Sequence, residues 1–587
     1  KKLSVLMPGR SVAMPQPAPQ PTPVLTFAPL GTLSAEVLQR LRRPPNWWLD
    51  RIVFPIRFPC VIRVLIVTDG DGCHFGQGGW GLDTTLQALQ HDLPPWARIE
   101  VTKAHHATSE RQIPGDDPAA DLFKVRLDTV GLDEFDELWL FATRRQDGAD
   151  GGALTGEEIA AVWQFMQAGG GVFATGDHED LGEALCADLP RVGTMRRWRF
   201  GNPPPTPEQP QAPAVSSGFS IRGENDTTTG VGDFDAMPQT IVPTIYSTQV
   251  GVFRVREYPH PLLCGKGGRV VVLPDHMHEG RCEVPPDLNR EISSAHGQER
   301  EYPRRGGTVH PPEVVATSSI NNSGLGTFGV IGAYDGHVVT EVANGVGRVA
   351  VDATWHHWFD MNTEQFATPW ARVTSAVQNG QTPLTADLEP AEYWESIRDY
   401  MQNVALWLAP KARQRCLARR GLWLGLHHLD VAMTIRPEGI PLTVHDLLLL
   451  GVKARDAFNQ VAPPCEQLRI IMDWIRDLRW VEVVRPWPGP PPKLQKEIDE
   501  LIGPRESALI DGETLENLML GAALAAAHRT IGDASPEQAV KAIDDGALDD
   551  AVAEAVLSGV QLLARALTAE GERLERALLW GSERLDG

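Results

Sequence analysis

Residues 169–182 read GGGVFATGDHEDLG and carry the pattern that decides the fold. The apolar residues after the glycines predict a short strand, the next residues a tight turn, and the end of the stretch the start of a helix. Many α/β enzymes present a nucleophile on such a turn. Here the turn holds Asp177 and His178 and neither Ser nor Cys. The stretch predicts an α/β fold and raises the question of what an acid and an imidazole do at this turn.

The alternation of strands and helices extends to both sides of this stretch. Residues 61–70, VIRVLIVTDG, are a continuous apolar run that ends in turn residues, which is typical of a strand buried on both faces. Thr155 and Glu158 fit a capping box at the start of a helix. Further helix-like and strand-like segments lie at 82–91, 97–104, 136–143, 268–276, 328–336 and 347–355. This order predicts a mostly parallel, doubly wound sheet.

Composition divides the chain into three regions. Residues 1–59 are a Pro-rich N-terminal segment, which we expect to be extended or disordered. Residues 60–389 form the predicted α/β domain, with a Pro-rich insertion at about 200–265. Residues 390–587 place apolar residues at helical spacing, and we expect an all-helical domain that packs as its own unit.

The net charge and the apolar runs of the chain argue against two classes of partner, nucleic acids and membranes. With 587 residues and a net charge of −22, the protein lacks the basic surface that a sequence-independent grip on nucleic acid requires. No apolar run approaches the ~20 residues that a membrane span needs. We therefore expect a small-molecule substrate, no nucleic acid and no membrane span, with a homo-oligomer through the helical domain as one possible assembly.

The seven cysteines are an odd number, and they are scattered without a C-x-x-C pair. That pattern is typical of reduced thiols and predicts a cytoplasmic protein.

Acids and histidines follow one predicted strand after another. These residues are Asp69, Asp71, Cys73 and His74; Asp177, His178, Glu179 and Asp180; Asp275, His276, His278 and Glu279; and Asp352, His356 and His357. In an open α/β sheet, ligands bind outside the carboxyl ends of the strands. We therefore expect the strands before Asp69, Asp177, Asp275 and Asp352 to lie in one sheet with these ends at the same edge, around an acidic pocket.

Each of these residues also has a structural interpretation. An Asp or His after a strand often forms a turn or caps a helix. One of His356 and His357 is expected to be a hydrogen-bonded core residue, and His105 and His106 are expected at the surface. The stretch GQGGWG at 76–81 comes too late after its strand for a dinucleotide site, and we interpret it as a flexible loop at the pocket rim.

Three stretches resemble ThuA-like proteins of the class I glutamine amidotransferase-like superfamily. They are GGGVFATGDHEDLG at 169–182, YPHPLLCG at 258–265 and GRVAVDATWHHW at 347–358, within a resemblance that spans roughly residues 60–365. The resemblance implies a flavodoxin-like sheet, a site at the turn after the fourth strand and a carbohydrate-like substrate, and it matches the family's closing histidine to His356. Amidotransferases place a Cys at that turn. This chain has Asp177 and His178 there, with Cys186 later in a helix, so glutaminase activity is not expected.

Two mechanisms stay open at this site. In one, His178 is a general base whose pKa the neighbouring acids raise, with Asp177 and His356 as catalytic partners. In the other, a divalent ion such as zinc activates water. His276 and His278, which an extended chain places on one side, bind this ion with Asp275, and with Asp177, His178 and His356 in reach. The candidate substrate-binding residues are Asp69, Asp71, His74, Glu179 and Trp355.

A hydrolase acting on a small polar substrate is the function that these residues indicate. The alternative is a non-catalytic ligand-sensing or scaffold protein built on a degenerate amidotransferase-like fold.

Overall fold

The long apolar runs of the sequence form the strands of one central sheet. The computed structural model describes residues 59–70, 73–91, 93–94, 96–106, 117–142, 154–177, 181–198, 238–250, 253–265, 268–274, 280–294, 297–319, 327–367, 390–427, 442–459 and 512–531, and helical positions between 538 and 576. The fold is that of these residues.

The described strands range in length from two to ten residues. Along the chain they are β1 (Cys60–Thr68), β2 (Ala97–His106), β3 (Leu122–Val125), β4 (Glu137–Phe141), β5 (Gly171–Thr175), β6 (Arg196–Arg197), β7 (Pro238–Thr240), β8 (Val242–Pro243), β9 (Ile245–Val250), β10 (Phe253–Pro259), β11 (Cys264–Gly265), β12 (Gly268–Arg269), β13 (Val272–Pro274), β14 (Arg281–Cys282), β15 (Glu291–Ser294), β16 (Gly297–Arg300), β17 (Arg304–Arg305), β18 (Thr308–Val309), β19 (Glu313–Ser319), β20 (Thr327–Tyr334) and β21 (Val349–Asp352).

The central sheet runs in the order β3-β2-β1-β4-β5-β21-β20-β14-β6, with β19 beside β20 and β8 beside β19. The neighbours from β3 to β21 pair in parallel, and β20 runs antiparallel to β21. Strands β4, β5 and β21 are buried along their whole length, as both faces of a covered parallel sheet require. The α/β class and the largely parallel sheet are thus confirmed, with an antiparallel extension beyond β21.

The carboxyl ends of β1, β5 and β21 lie at one edge, which we call the carboxyl edge. The parallel register joins Thr68 to Phe141, Phe141 to Thr175, and Thr175 to Asp352. Asp69, Asp177 and Asp352 therefore end their strands at a common edge, as predicted.

The prediction is wrong for the strand before Asp275. Strand β13 pairs antiparallel with β7 of the insertion, in a two-stranded sheet of its own. Its three residues end at Pro274, which has no N–H to donate to a sheet ladder. The apolar run at 270–273 therefore fits beside the insertion as well as it would fit beside the central strands.

The helices lie both between the strands and after them. Along the chain they are α1 (Asp83–Gln90), α2 (Gly156–Gln167), α3 (Glu183–Cys186), α4 (Val192–Met195), α5 (Asp360–Ala367), α6 (Pro390–Leu408), α7 (Lys411–His427), α8 (Val444–Asn459) and α9 (Gly512–Ile531). The capping box of α2 is present, since Thr155 accepts from the Glu158 N–H and the Glu158 carboxylate accepts from the Thr155 N–H.

The elements described after residue 390 are all helical, as predicted. No helix in the described part of the chain is long and apolar enough to cross a membrane.

Helix α6 packs against the sheet and against helix α1. The Tyr400 hydroxyl donates to Asp352 at 2.7 Å, Gln402 donates to the Ala88 carbonyl at 2.8 Å, and Arg348 donates to the Trp407 carbonyl at 2.9 Å. The expectation that everything after residue 390 packs as a separate unit does not describe this helix. Helices α8 and α9 do pack against each other, with glycines on both at the contact.

A disulfide joins Cys60 at the start of β1 to Cys416 on α7, with 5.9 Å between the two Cα atoms. The prediction of reduced thiols is therefore wrong for this pair, whose separation of 356 positions in sequence hides their proximity. Cys73, Cys186 and Cys282 are free and buried, and Cys264 is buried as well. The expectation of a cytoplasmic protein rested on reduced thiols, and the disulfide removes that support because such bonds are typical of oxidising compartments.

Candidate functional site

Two chain segments meet at the carboxyl edge beyond β5 and β21. Asp177 follows β5, and the Thr354 hydroxyl donates to its Oδ1 atom at 2.9 Å. The Trp355 N–H donates to the Gly176 carbonyl at 2.7 Å. The short helix Trp355–His357 is thereby held against the turn that the opening stretch of sequence predicted.

His356 lies between Asp177 and Asn362. Its Nε2 atom is 3.6 Å from Asp177 Oδ2, and its Nδ1 atom is 2.7 Å from Asn362 Oδ1. An amide oxygen can only accept, so the Nδ1 atom carries a proton and Nε2 is the nitrogen directed at the carboxylate. Both His356 and Asp177 are only 1% exposed. The pair has the residue types of a general acid–base group, at a separation of 3.6 Å that is longer than a hydrogen bond.

The neighbouring His357 is tied into a separate buried network. Its Nδ1 atom is 2.7 Å from Asp352 Oδ1, and its Nε2 atom is 3.1 Å from Gln239 Oε1. The other oxygen of Asp352 accepts from Trp358 at 3.1 Å and from Tyr400 at 2.7 Å. His357 is thus the hydrogen-bonded core histidine that the sequence predicted for one member of the pair.

Arg196 fastens the two strand ends together. Its guanidinium donates to the carbonyls of Asp177 at 2.8 Å, Asp352 at 2.9 Å and Ala353 at 2.7 Å, and it stacks on Trp198. A Cβ atom on Gly280 would collide with this guanidinium and would lie 2.8 Å from the Ala353 carbonyl oxygen, so a larger residue there would displace Arg196. The buried Arg196 guanidinium also interacts electrostatically with the Asp177 and Asp352 carboxylates.

The loop at 76–81 closes over this site. The half-buried Trp80 packs on Trp355 and His356, with ring centroids 4.6 Å and 6.0 Å apart. Asp360 anchors the loop, since its carboxylate accepts from the Gly78 N–H at 2.7 Å and the Thr84 N–H at 2.8 Å. The loop does lie at the site, as expected, and it is anchored there rather than loose.

The structure brings three of the predicted site residues together, namely Asp177, His356 and Trp355. Asp69 ends β1 on the same edge and is fully buried, and His74 is half-buried beside Trp80, whose carbonyl accepts its N–H at 3.2 Å. The other predicted site residues lie outside the described residues, and they are Asp71, His178, Glu179, Asp275, His276 and His278. In the described part of the chain, no three His, Cys, Asp or Glu side chains are grouped to hold a metal ion.

Cys186 lies in the short helix α3, as its position in the sequence predicted. It is fully buried, and burial raises the pKa of its thiol above the ordinary value. The thiol therefore lacks the thiolate character that a nucleophilic cysteine needs.

The prediction that His105 and His106 lie at the surface is wrong, since both are buried at the end of β2. His105 lies 2.7 Å from the Thr68 hydroxyl through Nδ1 and 3.1 Å from Asp117 Oδ2 through Nε2. His106 lies 2.7 Å from the Glu158 carboxylate on α2. The sequence signal for the first contact was the position of Thr68 and His105 at the ends of two adjacent predicted strands. Nothing local pointed to Asp117.

In comparisons with protein-family models, with curated proteins and with solved structures, the chain matches none of them. The resemblance to ThuA-like proteins therefore remains a prediction from three short stretches of sequence.

Proposed function

We propose that the protein is a hydrolase in which His356 is the general base and Asp177 its carboxylate partner. The observation that carries this proposal is the contact of His356 Nε2 with Asp177 Oδ2 at 3.6 Å, at the carboxyl edge of parallel strands. Ligands in open α/β sheets bind outside this edge. The six parallel strands follow the doubly wound order 3-2-1-4-5-6 when numbered along the chain, and the order without the edge strand β3 is the flavodoxin-like 2-1-3-4-5 that we propose.

The surroundings of His356 suit proton transfer. Asn362 accepts the Nδ1 proton and fixes the ring, so Nε2 is the atom that takes a proton from water or from a substrate hydroxyl. The imidazolium formed in this step is stabilised by the Asp177 carboxylate. The Thr354 hydroxyl donates to the Asp177 side chain, and Arg196 donates to the Asp177 carbonyl. These two hydrogen bonds fix the position of Asp177 beside His356.

The substrate that we propose is small and polar, and the ThuA-like resemblance favours one that is carbohydrate-like. The net charge of −22 argues against nucleic acid. A divalent ion such as zinc on Asp275, His276 and His278 is part of the proposal as a second source of activated water. Metal analysis of the purified protein tests it. Assembly through the helical region remains a prediction as well.

A non-catalytic ligand sensor is the second candidate. The observation that favours it is the burial of both His356 and Asp177, which leaves each only 1% exposed. A buried ion pair of this kind can serve stability alone.

Hydrolysis of a panel of chromogenic glycosides and phosphate esters by the purified chain tests the proposal. His356→Gln should reduce any turnover by roughly 100-fold or more, which is the usual contribution of a general base. His445→Gln is the matched control, because it removes an exposed imidazole on α8. Turnover that survives His356→Gln would exclude this role. No turnover on any substrate, together with saturable binding of a panel member, would favour the sensor.

A further inference from the structure

A second arrangement of reactive side chains lies at the carboxyl edge, beyond β1 and β2. The Thr68 hydroxyl is 2.7 Å from His105 Nδ1, and His105 Nε2 is 3.1 Å from Asp117 Oδ2. Neither His356 nor Asp177 takes part in these contacts. A hydroxyl, an imidazole and a carboxylate in this order are the parts of an activated nucleophile.

The hydrogen-bonding protons of Thr68, His105 and Asp117 can be assigned. Burial acts to raise the pKa of Asp117, but hydrogen bonds from the Phe75 N–H, from His105 and from the Ala119 N–H outweigh it and lower the pKa. The ionised carboxylate only accepts, so His105 donates through Nε2–H and Nδ1 accepts from the Thr68 hydroxyl. Burial lowers the pKa of His105, and Asp117 opposes this only in part. His105 is therefore a neutral imidazole, the form that can act as a base.

The place of Thr68 in the sheet also suits a reactive group. Strand β1 lies between β2 and β4, where the chain first turns from one side of the sheet to the other. Ligands of doubly wound sheets bind at this switch point. The Gly70 N–H donates to the Thr68 hydroxyl oxygen at 3.2 Å, and this contact would stabilise the negative charge that grows there in an attack.

Backbone irregularity and exposed apolar groups occur together beside His105. The β2–β3 register shifts between Ala104 and His106, and Lys124 has a positive φ of 53°. Bulges and strained residues of this kind are concentrated next to active sites. Next to Lys124, Phe123 is 46% exposed and its ring centroid is 5.7 Å from that of His105, and Leu122 is 36% exposed. Thr68 and His105 are themselves 0% exposed, so an acyl chain that binds the apolar patch of Leu122 and Phe123 reaches them only when the Phe123 ring moves aside.

We propose that Thr68 is the nucleophile of a second site, which cleaves esters with an apolar acyl group. The Thr68 oxygen bonds to the acyl carbon while its proton passes to His105 Nδ1. The bond from that carbon to the alcohol oxygen breaks, and His105 returns the proton to the departing alkoxide. Water then attacks the acyl-threonine through the same imidazole, releasing the acid and restoring the hydroxyl.

The test uses the full-length protein and an alkyl fluorophosphonate. Attack by Thr68 on the phosphorus expels fluoride and leaves a stable adduct, which mass spectrometry locates in the chain. We expect the adduct on Thr68, retained in Thr68→Ser and absent from the isosteric Thr68→Val. His105→Gln should slow labelling by roughly 100-fold, the usual contribution of a general base. The matched control Thr129→Val removes an exposed hydroxyl and should label as the wild type does.

A second measurement separates reactivity from folding. With p-nitrophenyl esters, the wild type and Thr68→Ser should release a stoichiometric burst that grows with acyl chain length, and Thr68→Val should release none while its circular dichroism is unchanged. Absence of an adduct from wild-type Thr68, or an equal burst from Thr68→Val, would overturn the proposal. Neither result bears on His356, so the two proposals fail separately.

Discussion

His356 and His357 are adjacent in the sequence and both are buried, yet their contacts differ. Both nitrogens of His357 lie within 3.1 Å of an oxygen atom, on Asp352 and Gln239. His356 has such a contact at Nδ1, whereas its Nε2 atom is 3.6 Å from Asp177. An imidazole fixed at both nitrogens holds the fold together. His356 directs its Nε2 atom at a carboxylate instead of an amide, and an imidazole facing a carboxylate has the residue types for proton transfer.

The largest effect is expected from Asp352→Ala, which removes the centre of the His357 network. His357, Trp358 and Tyr400 would each lose a buried acceptor. Breaking a buried ionic network in this way costs about 3–5 kcal/mol of unfolding free energy. Urea unfolding followed by tryptophan fluorescence measures the loss. Asp133→Ala at an exposed position is the control. A loss of unfolding free energy no greater than that of the control would show that the His357 network does not stabilise the fold.

His356→Gln is expected to affect function more than stability. The rate on any glycoside or phosphate ester that is turned over should fall by roughly 100-fold, since proton transfer is lost, while Gln can still donate to Asn362. His357→Gln should show the opposite pattern, with a larger loss of unfolding free energy. Steady-state kinetics and urea unfolding of the two variants decide the matter, and equal losses of stability would remove the distinction.

The His106–Glu158 pair extends the comparison, because its 2.7 Å contact resembles that of His357. Burial acts to raise the pKa of Glu158, but hydrogen bonds from His106, Thr155 and Leu127 lower it to about 2. A lowered pKa stabilises the fold above the ordinary carboxyl value, and this contribution is lost as the pH falls towards 2.

Thermal unfolding between pH 6 and pH 3 tests this assignment. The wild type should lose about 2 kcal/mol through Glu158 in that window, and Glu158→Gln should lose correspondingly less. Glu134→Gln at an exposed position should behave as the wild type does. Parallel pH profiles for wild type and Glu158→Gln would show that the pair contributes no pH-dependent stability.

The smallest effect is expected from Tyr400→Phe. This change removes one hydrogen bond to Asp352 and leaves the other donors in place. The expected loss is about 1 kcal/mol, measured by the same urea unfolding. A loss as large as that of Asp352→Ala would mean that Tyr400, rather than the carboxylate, is the centre of the network.

The parallel part of the sheet could be predicted from the sequence because its signal is local. A strand buried on both faces is a continuous apolar run, and the runs of β1, β4, β5 and β21 end at the carboxyl edge, three of them at acids. Asp177 and His356 lie close together because each follows a strand that ends at this edge. The capping box of α2 is equally local, since its two residues are three positions apart.

The remaining features depend on partners far away in the sequence. The partner of β13 could not be predicted, because a three-residue apolar strand can pair with the insertion or with the central sheet. His105 and His106 were expected at the surface because two polar residues end their strand. They are buried because Asp117 and Glu158 supply carboxylates from other elements. Such pairing leaves no pattern in either segment alone.

The disulfide between Cys60 and Cys416 closes the chain into a ring that contains the entire central sheet. A single protease cut between these two positions opens that ring without releasing a fragment. A nicked molecule should therefore keep its full mass under non-reducing conditions and separate into two pieces only when a thiol is added. Strand β1 therefore stays covalently attached to helix α7 even when a loop between them is cleaved.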